Sequence, residues 1–276
     1  MATSGKLLFT LPIPPLNQHP GGTVTVTEPA PAVYLLTITS PPDNRLTTAT
    51  CTAILDALDL IEFGGYTPGV VITTSGLPKF FSNGLDLEHA LGTEGFLPGV
   101  LYKLFNRYLT YPMPTIALLP GHAFAGGLML AMHHDYRVMN PTKGFACVNE
   151  LEFGVPLKAA MSSIFRLKLP AVTYRDLVLE AKRFSGEEAV RCGLVDRVGG
   201  LEEALGLIKE RKLTNKAKTG IYGLLKAEMY RESVGFLTKA GYDKEEEKDR
   251  LMIEGEDRRR EEAEGRLKGI KEKAKL

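Results

Sequence analysis

The stretch GHAFAGGLMLAMHHDYR, residues 121–137, sets the fold of the chain. It opens on the last residue of TIALLPG (115–121), which has the length and branched apolar content of a buried strand. Gly126 and Gly127 then precede LMLAMHHDY, a run of helical length. A chain that passes from strand to helix through glycines bares backbone amides that no earlier turn satisfies. Aligned with the helix dipole, such amides stabilise negative charge developing on an oxygen. Neither the spaced-glycine phosphate loop ending in Gly-Lys-Ser/Thr nor the GxGxxG dinucleotide pattern is present. His133 and His134 do not form a metal pair, because neighbours on a helix point about 100° apart and no other histidine or cysteine lies at a ligand spacing. His122 reads as a turn residue rather than a base.

Outward from this stretch, similar apolar runs recur at AVYLLTIT (32–39) and GVVITTSG (69–76). Between them LTTATCTAILDALDLIEF (46–63) repeats Ile54, Leu55, Leu58 and Ile61 at helical spacing. Strands alternating with helices predict an α/β fold. Beyond residue 200, Leu201, Ala204, Leu205 and Ile208 suit an amphipathic helix, and from Asp243 the chain is dense in both charge signs. That tail is expected to be a solvated mixed-charge helix or a partly disordered segment. Residues 1–24 are expected to be a loose leader, 25–200 the core, and 201–276 a C-terminal helical region.

Composition narrows the function classes. The chain has 276 residues, 44% of them hydrophobic, enough for one sizeable core with appendages. Its 34 basic and 33 acidic residues leave a net charge of +1, which argues against a partner whose phosphates must be neutralised in number, so no nucleic acid is expected. Cys51, Cys147 and Cys192 are far apart and odd in number, against a disulfide framework. No run reaches the roughly 18 apolar residues of a membrane span.

Two further glycine-marked stretches resemble the first. In KFFSNGLDLEHA (79–90), Gly84 permits a tight turn that brings the Leu85 amide toward a ligand. In FACVNELEFGVP (145–156), a strand-like run carries Glu150 and Glu152 before a Gly-Val-Pro turn. Val148, Leu151 and Phe153 flank Glu150, and burial among them would raise its pKa toward that of a useful base. Composition alone does not choose between the two glutamates, which as residues two apart on a strand would share a face.

With FFSNGLDL, LPGHAFAGGLMLAMHHDYRV, VNELEFGVP and FSGEEAVRCGLVDRV (184–198) in this order and spacing, the chain resembles the crotonase, or enoyl-CoA hydratase/isomerase, superfamily. The resemblance implies a crotonase-like α/β spiral of ββα units with a C-terminal helical region, assembled as a homotrimer. It implies an acyl-CoA thioester substrate, no cofactor and no metal, coenzyme A being part of the substrate. Carried over residue by residue, the two amides that hold a thioester enolate oxygen in an oxyanion hole belong to Leu85 and Gly126. Phe81, Asn83, Gly84, Gly127 and Met129 are the substrate-binding candidates beside them. Phe81, Leu91, Phe96, Leu97 and Leu101 are also candidates for an acyl pocket, with a plain core role the simpler reading for most of them.

Hydratases of this family use two glutamates, one six residues before the aspartate matched by Asp135 and one four before the glycine of the later turn. Those places hold Met129 and Glu150 here. Adding water needs groups that orient and deprotonate it, so methionine at the first place counts against hydration. Moving a double bond needs one base, since the α and γ carbons of a dienolate lie about 2.5 Å apart, within reach of one pivoting carboxylate. The resemblance therefore implies a Δ3,Δ2-enoyl-CoA isomerase of fatty-acid β-oxidation, with Glu150 as the catalytic base; some isomerases carry the glutamate four residues after the glycine, where this chain has Lys158. A hydratase, another CoA-ester dehydratase or isomerase, and a non-catalytic acyl-CoA-binding protein are the rivals. The terminal Ala274-Lys275-Leu276 is similar to the peroxisomal Ser-Lys-Leu signal, implying an import receptor as partner and the peroxisomal matrix as location.

Overall fold

A computed structural model describes residues 5–274. Its strands are β1 (Lys6–Ile13), β2 (Gly22–Ala30), β3 (Val33–Thr39), β4 (Val70–Ser75), β5 (Phe80–Ser82), β6 (Thr115–Leu119), β7 (His122–Phe124), β8 (Tyr136–Met139), β9 (Ala146–Cys147) and β10 (Arg197–Val198). The helices are α1 (Thr48–Phe63), α2 (Leu87–Gly92), α3 (Tyr102–Thr110), α4 (Gly126–His133), α5 (Glu150–Phe153), α6 (Ala159–Lys168), α7 (Ala171–Leu179), α8 (Gly186–Arg191), α9 (Leu201–Arg211), α10 (Tyr222–Met229), α11 (Arg231–Phe236) and α12 (Lys239–Ala274).

Two sheets divide the strands. The large one runs β1-β2-β3-β4-β6-β8-β10, antiparallel through β3 and parallel thereafter. The small one runs β5-β7-β9, all parallel. Three successive strand pairs, β4/β5, β6/β7 and β8/β9, each give their first strand to the large sheet and their second to the small one before the chain turns into a helix. That repetition is the spiral of ββα units.

The sheet separates two apolar layers through its period of two. Val70, Ile72, Ile116 and Leu118 face Ala204, Leu207 and Ile208 of α9, while Val71, Ala117 and Leu119 face the larger core that holds α1, α3 and α4. Strands buried on both faces read as continuous apolar runs, and for that reason β4 and β6 were legible in the sequence. The helix expected over 46–63 forms as α1, with Thr47 capping it and Ile54, Leu58 and Ile61 fully buried.

Helix α4 is buried along its whole length. Its C-terminal carbonyls are met by cations, as the helix dipole favours. Lys168 Nζ donates to the Met132 and His134 carbonyls at 2.7 Å each, and the Arg137 guanidinium to His134 O at 3.1 Å. His133 stacks on Phe105 with ring centroids 4.3 Å apart, and burial pushes its pKa down to about 3. His134 shares a hydrogen bond of 2.9 Å with Thr73. Both are core residues.

Three expectations are corrected. The leader expected over 1–24 is not loose, since Lys6–Ile13 pairs with β2 as the edge of the large sheet. The strand expected to carry both glutamates stops at Cys147, and Glu150 opens α5, which ends at Gly154 with φ +67°. His122 lies in β7 rather than a turn, accepting a hydrogen bond from the Phe145 amide at 3.1 Å. The charged tail forms α12, 36 residues long with no buried side chain.

Candidate active site

Because β5, β7 and β9 are parallel neighbours, the turns that follow them stand side by side, about 4.8 Å apart, at the carboxyl end of the small sheet. Those turns carry Leu85, Gly126 and Glu150, which share a cavity of about 680 Å³.

The first two turns are packed against each other. Gly84 has φ +81°, and a Cβ there would lie 2.9 Å from the Gly126 amide nitrogen. A Cβ on Gly127 would collide with the Ser82 carbonyl, so glycine lets α4 start flush against β5. Ala125, with φ +48°, is the residue that turns the chain into the helix. Neither the Leu85 amide nor the Gly126 amide has an acceptor among the described residues. The carbonyls around them are tied down, with Gly84 O accepting from the Leu46 amide at 2.9 Å and Leu85 O from Arg45 at 2.8 Å. Two adjacent free amides facing a cavity form an anion-stabilising pair in chemical terms.

Glu150 enters from the third turn. Burial raises its pKa to about 7, a bond from its own backbone amide acting weakly the other way, and its Oε2 is buried without a partner. Of the other acidic lining groups, Asp43 accepts on Oδ2 from Arg45 at 3.0 Å and from Asn83 at 2.6 Å while its Oδ1 is buried without a partner, and Asp86 accepts from Gln18 and His19. A carboxyl with a pKa near 7 and one oxygen without a partner can both take and return a proton at neutral pH. Met129 faces the same cavity and offers no proton.

Of the three flanks assigned to Glu150, Val148 is buried and the other two are not. Leu151 and Phe153 are 59% and 65% exposed. Glu152 points outward to Arg183 at 2.9 Å, a consequence of the helical rather than extended backbone. Lys158 lines the cavity and is neutralised by α12, through Glu246 at 2.8 Å and Asp249 at 2.6 Å.

Of the expected substrate-binding residues, Asn83 and Met129 line the cavity and Gly84 shapes its turn. Phe81 does not; it is fully buried in the core, pointing away on the alternate face of β5, and Gly127 serves packing against Ser82. Leu91 and Leu97 line the cavity, whereas Phe96 and Leu101 are core.

Sequence reasoning missed Asn44, a buried hub with φ +53°. Its side chain accepts from the Ser40 amide at 2.7 Å and donates to Ser75 Oγ at 2.7 Å and Phe81 O at 3.0 Å, pinning β5 to the large sheet. It also missed Gln18 and His19, whose partner lies 67 or more residues away. The asparagine in PPDNR was the one available cue, as a residue type that tolerates positive φ in a turn. No group of three or more His, Cys, Asp or Glu side chains suited to a metal ion occurs among the described residues.

A strand-helix spiral with two amides lacking acceptors and a carboxyl at the end of its small sheet points to an α/β enzyme class, and comparisons with known proteins identify the family. The profile of the enoyl-CoA hydratase/isomerase family matches residues 28–247. Enoyl-CoA delta isomerase 3 of Arabidopsis thaliana is 32% identical over 213 residues, covering 72% of this chain and 89% of that protein. The peroxisomal enoyl-CoA delta isomerase 2 of the same plant is 32% identical over 220 residues, covering 74% and 91%. The apo enoyl-CoA isomerase of Mycobacterium tuberculosis superposes with a TM-score of 0.68 at 25% identity, covering 80% of this chain and 96% of that one. The chain belongs to the enoyl-CoA hydratase/isomerase family.

Proposed function

We propose that the protein is a Δ3,Δ2-enoyl-CoA isomerase acting in fatty-acid β-oxidation. The observation that carries this is Glu150: a carboxyl with a pKa of about 7 and one buried oxygen without a partner, in one cavity with two free amides and with methionine where hydration would need a second acid. The ionised carboxylate removes the α-proton of a 3-enoyl-CoA. The electron pair moves onto the thioester oxygen, which the Leu85 and Gly126 amides hold as an oxyanion hole, giving a dienolate. Protonated Glu150 then delivers the proton to the γ carbon, and the electrons return to form the 2-trans double bond. No other residue gains or loses a proton.

Incubation with 3-hexenoyl-CoA tests the reading. Conjugated-thioester absorbance is expected to rise with the wild type and to stay flat with Glu150→Gln. Loss of 2-enoyl-CoA absorbance through water addition, or full activity in the variant, would sink it.

For location we propose the peroxisomal matrix, reached through an import receptor that reads Ala274-Lys275-Leu276. Of that tripeptide only Ala274 falls within the described residues. The name of the second Arabidopsis relative supports the reading. A fluorescent protein fused to the N-terminus is expected to give punctate peroxisomal signal that becomes diffuse when the last three residues are removed.

A further inference from the structure

The turn between β1 and β2 lies before the span that matches the family, which begins at residue 28. It is closed by reciprocal bonds between Leu16 and His19, the Leu16 amide to His19 O at 3.0 Å and the His19 amide to Leu16 O at 2.9 Å. In this way it delivers Gln18 and His19 onto the cavity wall. There His19 Nε2 stands 2.6 Å from Asp86 Oδ2, and the Gln18 amide donates to the same oxygen at 2.8 Å. The other oxygen of Asp86 caps α2 by accepting from the His89 amide at 2.9 Å. Asp86 directly follows Leu85, so the imidazole is fixed beside the turn that supplies one of the free amides.

A carboxylate only accepts, so Nε2 is the donor, and Nδ1 is the ring's remaining polar atom. Nδ1 has no partner among the described residues and is not fully buried. The polar residues lining the cavity include His19, Gln18, Asp43, Arg45 and Asn83, and the apolar ones Leu91, Leu97, Met129, Leu157 and Met161. An acyl-CoA has the same mixed chemistry: an apolar chain and a pantetheine arm bearing two amides and a hydroxyl.

We propose that the β1–β2 turn is a substrate strap, in which His19, oriented by Asp86, forms a hydrogen bond through Nδ1 with the outer amide or the hydroxyl of the pantetheine arm. The inference rests on the thioester reading of the site. His19 is thus a binding residue for the arm and takes no part in proton transfer to the acyl chain.

Calorimetric binding of three esters tests it: butyryl-CoA, butyryl-pantetheine and the butyryl thioester of N-acetylcysteamine, which lacks the arm's outer amide and its hydroxyl. His19→Ala is expected to weaken the first two by about tenfold, as for the loss of one hydrogen bond. The third should bind equally to wild type and variant. Gln18→Ala, at an exposed position that does not threaten folding, should weaken the first two less, through a looser Asp86–His19 pair. In turnover of 3-hexenoyl-CoA, His19→Ala should raise KM and leave kcat unchanged. Equal losses on all three esters would place His19 against the acyl end, a fall in kcat at constant KM would make it a proton-transfer group, and no loss on any ester would leave the strap without a role; each overturns the proposal. A wild type that binds the esters but does not isomerise 3-hexenoyl-CoA would instead overturn the proposed reaction while the binding pattern still reports on the strap.

Discussion

The two halves of the cavity are built differently. The amide half rests on β5, β7 and α4, where glycines let backbones touch, Asn44 ties three segments together, and α4 is buried throughout. The carboxyl half rests on α5, four residues long, with Leu151 and Phe153 turned to solvent and no buried side chain. A hole for an oxyanion must be pre-shaped before charge develops in it. In the proposed reaction the base serves two carbons and needs room to pivot, room that a short exposed helix would leave it.

This contrast yields separable outcomes. The largest is expected from Glu150→Gln, with kcat reduced by about 10³-fold while the melting temperature does not fall, as measured by initial rates and a thermal scan. Gly84→Ala should cost about 10²-fold in kcat, because its Cβ would crowd the Gly126 amide. It should also lower stability by roughly 1 to 2 kcal/mol through the left-handed backbone at that position. Activity and stability thus fall together in the amide half and apart in the carboxyl half, and a Gly84→Ala protein with full activity would erase the contrast.

The next effect has the opposite sign. The folded state holds the Glu150 proton up to about pH 7, whereas the ordinary value is 4.5. Below the ordinary value the group is neutral in both states and costs nothing. As pH rises between the two, the unfolded chain releases the proton first, so wild-type stability falls. Glu150→Gln escapes this and should be more stable than wild type at pH 8 by on the order of 3 kcal/mol, with the gap closing near pH 4 in denaturant titrations. The smallest effect belongs to Glu152→Gln, which breaks an exposed ion pair with Arg183. Stability should change by less than about 1 kcal/mol and kcat not at all; a loss of rate equal to that of Glu150→Gln would remove the distinction between the two glutamates.

The amide half was legible in the sequence and the carboxyl half only partly. Buried parallel strands β4 and β6 announce themselves as apolar runs, and the glycines at 84, 126 and 127 mark close backbone approach. The small sheet left no such trace, since β5 and β7 have three residues each and β9 two, too few to display a period. For the same reason the segment around Glu150 passed for a strand, and Leu151 and Phe153 for its cover. Phe81 was misplaced because its neighbours on the far side of β5 come from distant parts of the chain. Asn44 and His19 act on partners dozens of residues away, and local spacing holds no record of such pairs.

Helix α12 also reaches the cavity, through its carboxylates on Lys158. Without Glu246 and Asp249 an unbalanced ammonium would look into the same space as the Glu150 carboxyl. An opposite charge nearby favours ionisation, so that carboxyl would become more acidic and grip its proton less well. The long tail, remote from Glu150 along the chain, therefore belongs to the electrical surroundings of that carboxyl.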